Sequence, residues 1–165
     1  MEIVKDIKRT YVGGKLSDVY YGEVRMPHYH GVKGSLHESD LEWSVGGVLP
    51  DGRVYEIVIK PGFVFDGASV PRFLWRVTGH PLEVPRVAAG FAHDWLYRSQ
   101  VVSRKIADLI YRDICLQVGM TEVRADVEYA SLRAVGWIAW NGKGEGEKAE
   151  ARRQGVMWLE GEKLQ

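Results

Sequence analysis

The chain has 165 residues, 45% apolar and 27% charged, which suits one ordinary globular domain with a buried core. Lys plus Arg and Asp plus Glu number 22 each, so the formal charge is zero, which argues against broad electrostatic attraction to nucleic acid or an anionic membrane and leaves room only for a local patch. The one cysteine, Cys115, excludes an intrachain disulfide and a cysteine-based metal cluster.

Residues 1 to 65 read as β. Glu2 to Tyr11 is a mixed run ahead of Gly13-Gly14, and Asp18 to Met26 is aromatic and β-branched. Pro27 to Asp40 (PHYHGVKGSLHESD) is polar, contains glycines and reads as a loop. Leu41 to Leu49 and Arg53 to Ile59 flank Pro50-Asp51-Gly52, which predicts a hairpin because glycine accepts the positive φ of the turn. The second of these strands alternates imperfectly between faces, so burial on both is expected. The N-terminal MEIVKDIKRT lacks the apolar run of a signal peptide. No apolar stretch reaches the roughly 18 residues a membrane span needs.

From Pro71 the pattern turns helical. Pro85 suits a first helical turn, and Arg86 to Arg98 places Val87, Ala88, Phe91, Trp95 and Leu96 at helical spacing. Ser103 is the expected N-cap of a second helix reaching Val118, with Ile106, Leu109, Ile110, Ile114 and Val118 inward and Gly119 as its stop. Thr121 opens a third, running to Trp140 with Gly136 inside it. The expectation is a single α+β domain over residues 1–140, an N-terminal antiparallel β region packed on about three C-terminal helices. Residues 141–165 read as a flexible, charged segment (NGKGEGEKAEARR) with a short apolar end, Val156 to Leu159.

Chemistry concentrates between Phe63 and Tyr111. His93-Asp94-Trp95-Leu96-Tyr97 lies on a predicted helix, where His93 and Tyr97 share a face and Asp94 is rotated by about 100°. A short connection, Ser99 to Val102, lets the next helix bring Asp108 against His93. A carboxylate on one ring nitrogen fixes the tautomer and leaves the other nitrogen to take a proton from water. The bland counterpart is a histidine packed between helices and satisfied by Asp108. Asp94 is expected either to help hold a hard cation such as Ca²⁺ or to take a structural partner, a backbone N–H or Arg98, its i+4 neighbour.

The loop Phe63 to Val70 adds Asp66 and Gly67, which serve equally as a turn. Ser69 lacks the G-x-S-x-G surroundings of a nucleophile elbow, and Arg72 suits Asp66 or a substrate phosphate. His28, His30 and His37 raise a zinc reading, but a solvated loop is expected, and His80 adds little to it.

The run H-D-x-x-Y followed by Ala107-Asp108-Leu109-Ile110-Tyr111 resembles the catalytic helices of phospholipase A2, nearest to the disulfide-free version in parvovirus capsid proteins. That resemblance implies His93 as general base, Asp94 on Ca²⁺, and Asp108 and Tyr97 orienting His93. Leu82 to Gly90 carries no glycine-rich calcium loop of that family's type. A longer resemblance spans Ile57 to Trp140: PGFVFDGASVPRFLW, HDWLY and SRKIADLIYRDI look like an uncharacterised family of phage and prophage proteins. Its usual signature is GFxTDxASVPR, then HDxLY, then RxxAD. Here Phe65 stands where that family has threonine. The resemblance implies a protein made in a host cytoplasm, with virion or tail proteins among its partners and the virion as one destination. Two functions follow as expectations. One is a hydrolase of esters or amides with a His93–Asp108 base, for which a lipid surface is a fitting contact. The other is a non-enzymatic virion or tail-associated protein in which the same cluster locks helices together.

Overall fold

The computed structural model describes residues 29–31, 37–39, 42–65 and 84–165. Strands β3 (Trp43–Val48) and β4 (Val54–Ile59) form the expected hairpin, in register from Trp43 opposite Ile59 to Val48 opposite Val54. Gly52 takes φ 87° at its turn, as the Asp-Gly pair requires. Strand β6 (Gly155–Leu159) pairs with the other side of β4, and β7 (Glu162–Leu164) pairs with β6, giving the order β3-β4-β6-β7. β4 is therefore central. Tyr55, Ile57 and Ile59 are wholly buried, and Glu56 and Val58 nearly so, which explains its imperfect alternation.

Two expectations need correcting. The segment Pro27 to Asp40, read as loop, contributes β1 (Tyr29–Gly31) and β2 (His37–Ser39). With β5 (Val64–Phe65) they make a small antiparallel sheet, β1-β2-β5. Short polar strands lack the apolar alternation that marks longer ones, so cross-strand hydrogen bonding decides them. The second correction concerns residues 141–165. The segment read as flexible carries a helix and the two strands that complete the main sheet. The apolar end reaches the core because Met157 lies opposite Ile57, and both side chains are fully buried.

Five helices, rather than about three, follow the hairpin among the described residues. They are α1 (Val84–Ser99), α2 (Arg104–Gln117), α3 (Glu122–Val135), α4 (Trp137–Asn141) and α5 (Glu145–Gln154). The fold is α+β, as expected. The expected third helix divides at Gly136, where a Cβ would come within 2.3 Å of the Tyr97 hydroxyl and 2.5 Å of the Leu132 carbonyl. Ser103 caps α2 by accepting from the Ile106 N–H at 3.4 Å, and Gly119 closes it at φ 91°.

α1 is the axis of the molecule. Every residue from Val87 to Tyr97 is buried, so this helix is enclosed on all sides rather than along one stripe. Phe91 meets Trp43, Phe63 and Phe65 edge-on at 5.2, 5.3 and 4.9 Å, joining α1 to both sheets. Trp95 donates its indole N–H to the Ala151 carbonyl at 2.8 Å, which ties α5 to α1. α2 docks on the main sheet through Asp113, which accepts from the Tyr55 hydroxyl at 2.7 Å, and through Gln117, which donates to the Gly46 carbonyl at 3.0 Å. No helix among the described residues is long and apolar enough to cross a membrane. Among the described residues, Val123, Val127, Trp137 and Ile138 are exposed large apolar side chains.

Candidate functional site

The site is built where α1 and α2 pack antiparallel, a direction set by His93 meeting Tyr111 and, one turn on, Tyr97 meeting Asp108. His93 and Tyr97 lie one turn apart on α1, so their rings stack at 4.0 Å with a 39° tilt. From α2, Asp108 meets His93 Nε2 at 2.9 Å through Oδ1, and the Tyr97 hydroxyl donates to that oxygen at 2.7 Å. The Tyr111 ring stands edge-on to His93 at 5.2 Å and donates its hydroxyl to Glu128 on α3 at 2.6 Å.

The other oxygen of Asp108 takes cations. Arg133 of α3 donates from Nη1 to Oδ2 at 2.8 Å, and Arg104 lies 3.5 Å from it. Arg104 also donates to the carbonyls of Leu132 and Arg133 in the last turn of α3. Asp108 is completely buried, and an isolated charge there would be very unfavourable. Burial pushes its carboxyl upward. The hydrogen bond and charge of His93, with the hydrogen bonds from Tyr97 and Arg133, outweigh that and hold it below the usual carboxylate range. Tyr97 is pushed up instead, by burial first and then by the hydrogen bond to Asp108 and its charge, against a smaller opposing pull from Arg104.

Chemically, an ionised Asp108 only accepts, so Nε2 of His93 carries the proton in this contact. The lone pair of a neutral imidazole then falls on Nδ1. His93 and its neighbour Asp94 are each 4% exposed, so the imidazole lies inside the helical packing.

Asp94 takes the second of its two expected roles. The Arg98 guanidinium clasps both its oxygens, Nε at 3.1 Å and Nη2 at 2.7 Å, and reaches on to the Val64 carbonyl at 2.7 Å. The described residues do not fit a calcium ion, because a fixed cation already occupies the carboxylate that would have to bind it. Nor is there, among the described residues, a group of three or more His, Cys, Asp or Glu side chains able to hold a metal. The loop candidates Asp66, Gly67, Ser69 and Arg72, and also His28 and His80, lie outside the described residues. His30 and His37 belong to the paired strands β1 and β2.

Among the sequence candidates, His93, Asp108 and Tyr97 converge. The sequence reading missed Arg104, Arg133 and Glu128. Arg104 had a local signal, since it precedes Asp108 by one helical turn. Arg133 had none, because it arrives from a different helix.

A family model described as a protein of unknown function (DUF1353) matches residues 49–132, half of the chain. The chain belongs to that family. The DUF1353 span begins at the β3–β4 turn and contains His93, Asp94, Tyr97 and Asp108, while Arg133 follows its last residue. No curated protein and no solved structure matches this DUF1353 chain.

Proposed function

We propose that this DUF1353 protein is a hydrolase of carboxylic esters or amides in which His93 is the general base. The observation that carries the reading is the 2.9 Å contact between His93 Nε2 and Asp108 Oδ1, with the Tyr97 hydroxyl on the same oxygen. The carboxylate orients the ring and stabilises the imidazolium that forms when Nδ1 takes a proton from water. The resulting hydroxide attacks the carbonyl carbon, and the proton passes from the imidazolium to the departing alkoxide or amine. Acid and alcohol, or acid and amine, leave. No step passes through a metal. The resemblance of the His93–Tyr111 stretch to phospholipase A2 supports a glycerophospholipid ester as the first substrate to try. The longer resemblance supports a phage or prophage setting.

A second reading has an observation of its own. His93 is 4% exposed and Asp108 is sealed, as suits a polar network that locks α1, α2 and α3 in a non-enzymatic virion or tail-associated protein. His93→Gln separates the two. A glutamine amide can still donate to Asp108 but offers no base. With phosphatidylcholine vesicles and nitrophenyl esters and amides as substrates, the hydrolase reading expects a loss of at least about 100-fold in turnover with the melting temperature nearly kept. Wild-type protein that turns over none of these, together with a large drop in melting temperature for His93→Ala, defeats that reading and favours the lock.

A further inference from the structure

Asp108 divides its two oxygens between two kinds of partner. Oδ1 faces the ring nitrogen of His93 and the hydroxyl of Tyr97, both from α1. Oδ2 faces Arg133 from α3 and Arg104 from its own helix. Beyond these, the His93 ring is bounded by Tyr111, whose hydroxyl meets Glu128, and Glu128 in turn meets Arg124 at 3.4 Å. The division is not a consequence of the helical hairpin. A carboxylate turns easily about its terminal bond, so unless its second oxygen is held it can swing towards the nearest remaining cation and leave Nε2 of His93 without its acceptor. Arg104 is poorly placed to hold that oxygen alone. At 3.5 Å it is at the outer limit of a hydrogen bond, and its guanidinium is also engaged by the Leu132 and Arg133 carbonyls. Arg133 makes the short contact, 2.8 Å, from a side chain one-third exposed that crosses from α3.

We propose that Arg133, with Arg104 behind it, is the positioning residue of His93. By taking Oδ2 it reserves Oδ1 for His93 and Tyr97, and so holds the imidazole with its proton on Nε2 and its lone pair on Nδ1. The consequence for turnover rests on the hydrolase reading; the tautomer does not. A residue that merely tied α3 to α2 would need no ionised acceptor and would leave the ring indifferent to its removal. A charge-assisted contact that sets the carboxylate plane affects both the ring and the titration of Asp108.

The test is a long-range proton–nitrogen spectrum of protein labelled with ¹⁵N-histidine, in which each imidazole reports which nitrogen is protonated. The chain has five histidines, and His93→Gln assigns the relevant signal. Wild type should show one tautomer, with the proton on Nε2. Arg133→Gln should show mixed tautomers, and its loss of stability in acid should begin roughly one pH unit higher than in wild type. Arg104→Gln should show smaller changes of the same sign. Arg133→Lys, which keeps the charge without the fork, should recover most of the wild-type spectrum. A wild-type His93 signal in Arg133→Gln, with only the melting temperature lowered, overturns the proposal. If that variant does not fold, Arg104→Gln decides on the same criterion. A tautomer that responds to the arginines in a protein without turnover keeps this proposal and removes the hydrolase reading. Turnover with an indifferent tautomer does the reverse.

Discussion

At the scale of residues, one buried carboxylate organises the site. Asp108, itself sealed from solvent, receives His93, Tyr97 and Arg133 as hydrogen-bond partners and Arg104 as a near cation. Asp108→Asn removes the countercharge and should cost about 3 kcal/mol in urea unfolding, because it leaves cations facing a neutral amide. The pH dependence has two limbs with opposite causes. Asp108 titrates lower in the folded state, whereas an unfolded aspartate titrates near 3.9. Its contribution is therefore present above about pH 4 and is lost as pH falls towards the folded value. Tyr97 titrates higher in the folded state, whereas an unfolded tyrosine ionises near 10. Its contribution is intact below about pH 10 and is lost as pH rises beyond it. Urea midpoints measured across both limbs should show a shallower acid limb in Asp108→Asn and a shallower alkaline limb in Tyr97→Phe. Unchanged slopes in both variants would contradict the electrostatic account of the cluster.

At the scale of elements, glycines allow approaches that the helices and strands need. Gly136 separates α3 from α4 and lets the Tyr97 hydroxyl lie against the backbone, where a Cβ would stand at 2.3 Å. Gly136→Ala should cost about 1–3 kcal/mol by overpacking, with far-ultraviolet circular dichroism unchanged. Because part of the clash is with the Tyr97 hydroxyl, Tyr97→Phe should relieve some of it. A double-mutant cycle should then give a coupling of at least about 0.5 kcal/mol, and strict additivity would show that the two sites do not share the strain. The same device operates where α2 meets the sheet. A Cβ on Gly47 would stand 2.0 Å from Asp113, the carboxylate that accepts from Tyr55.

At the scale of the molecule, the last residues close what the hairpin begins. Without β6, strand β4 would present a free edge, and its buried Ile57 and Ile59 would lose Met157 and Gly155 opposite them. Without α5, Trp95 would lose the Ala151 carbonyl and the Ser99 carbonyl would lose Arg152, which donates to it at 2.9 Å. A chain ending at Trp140 should therefore aggregate or lose its cooperative unfolding transition, as read by size-exclusion chromatography and thermal melts. A soluble truncated chain that melts with wild-type cooperativity would instead make residues 1–140 a self-sufficient domain.

Read alone, the sequence determined what acts over a few residues. The Asp51-Gly52 turn, the Ser103 cap, the Gly119 stop and the shared face of His93 and Tyr97 all follow from φ preferences and the 3.6-residue period. Even the meeting of His93 with Asp108 was legible, because a short connection between two helices leaves few ways to pair them. Only the tertiary structure decided which of two local options Asp94 takes, that Arg133 reaches Asp108, and that Val156 to Leu159 become a strand beside β4. The physical reason is the same in each case. An ion pair between helices and the choice of a strand's neighbour depend on how elements dock, and no spacing within one element encodes that.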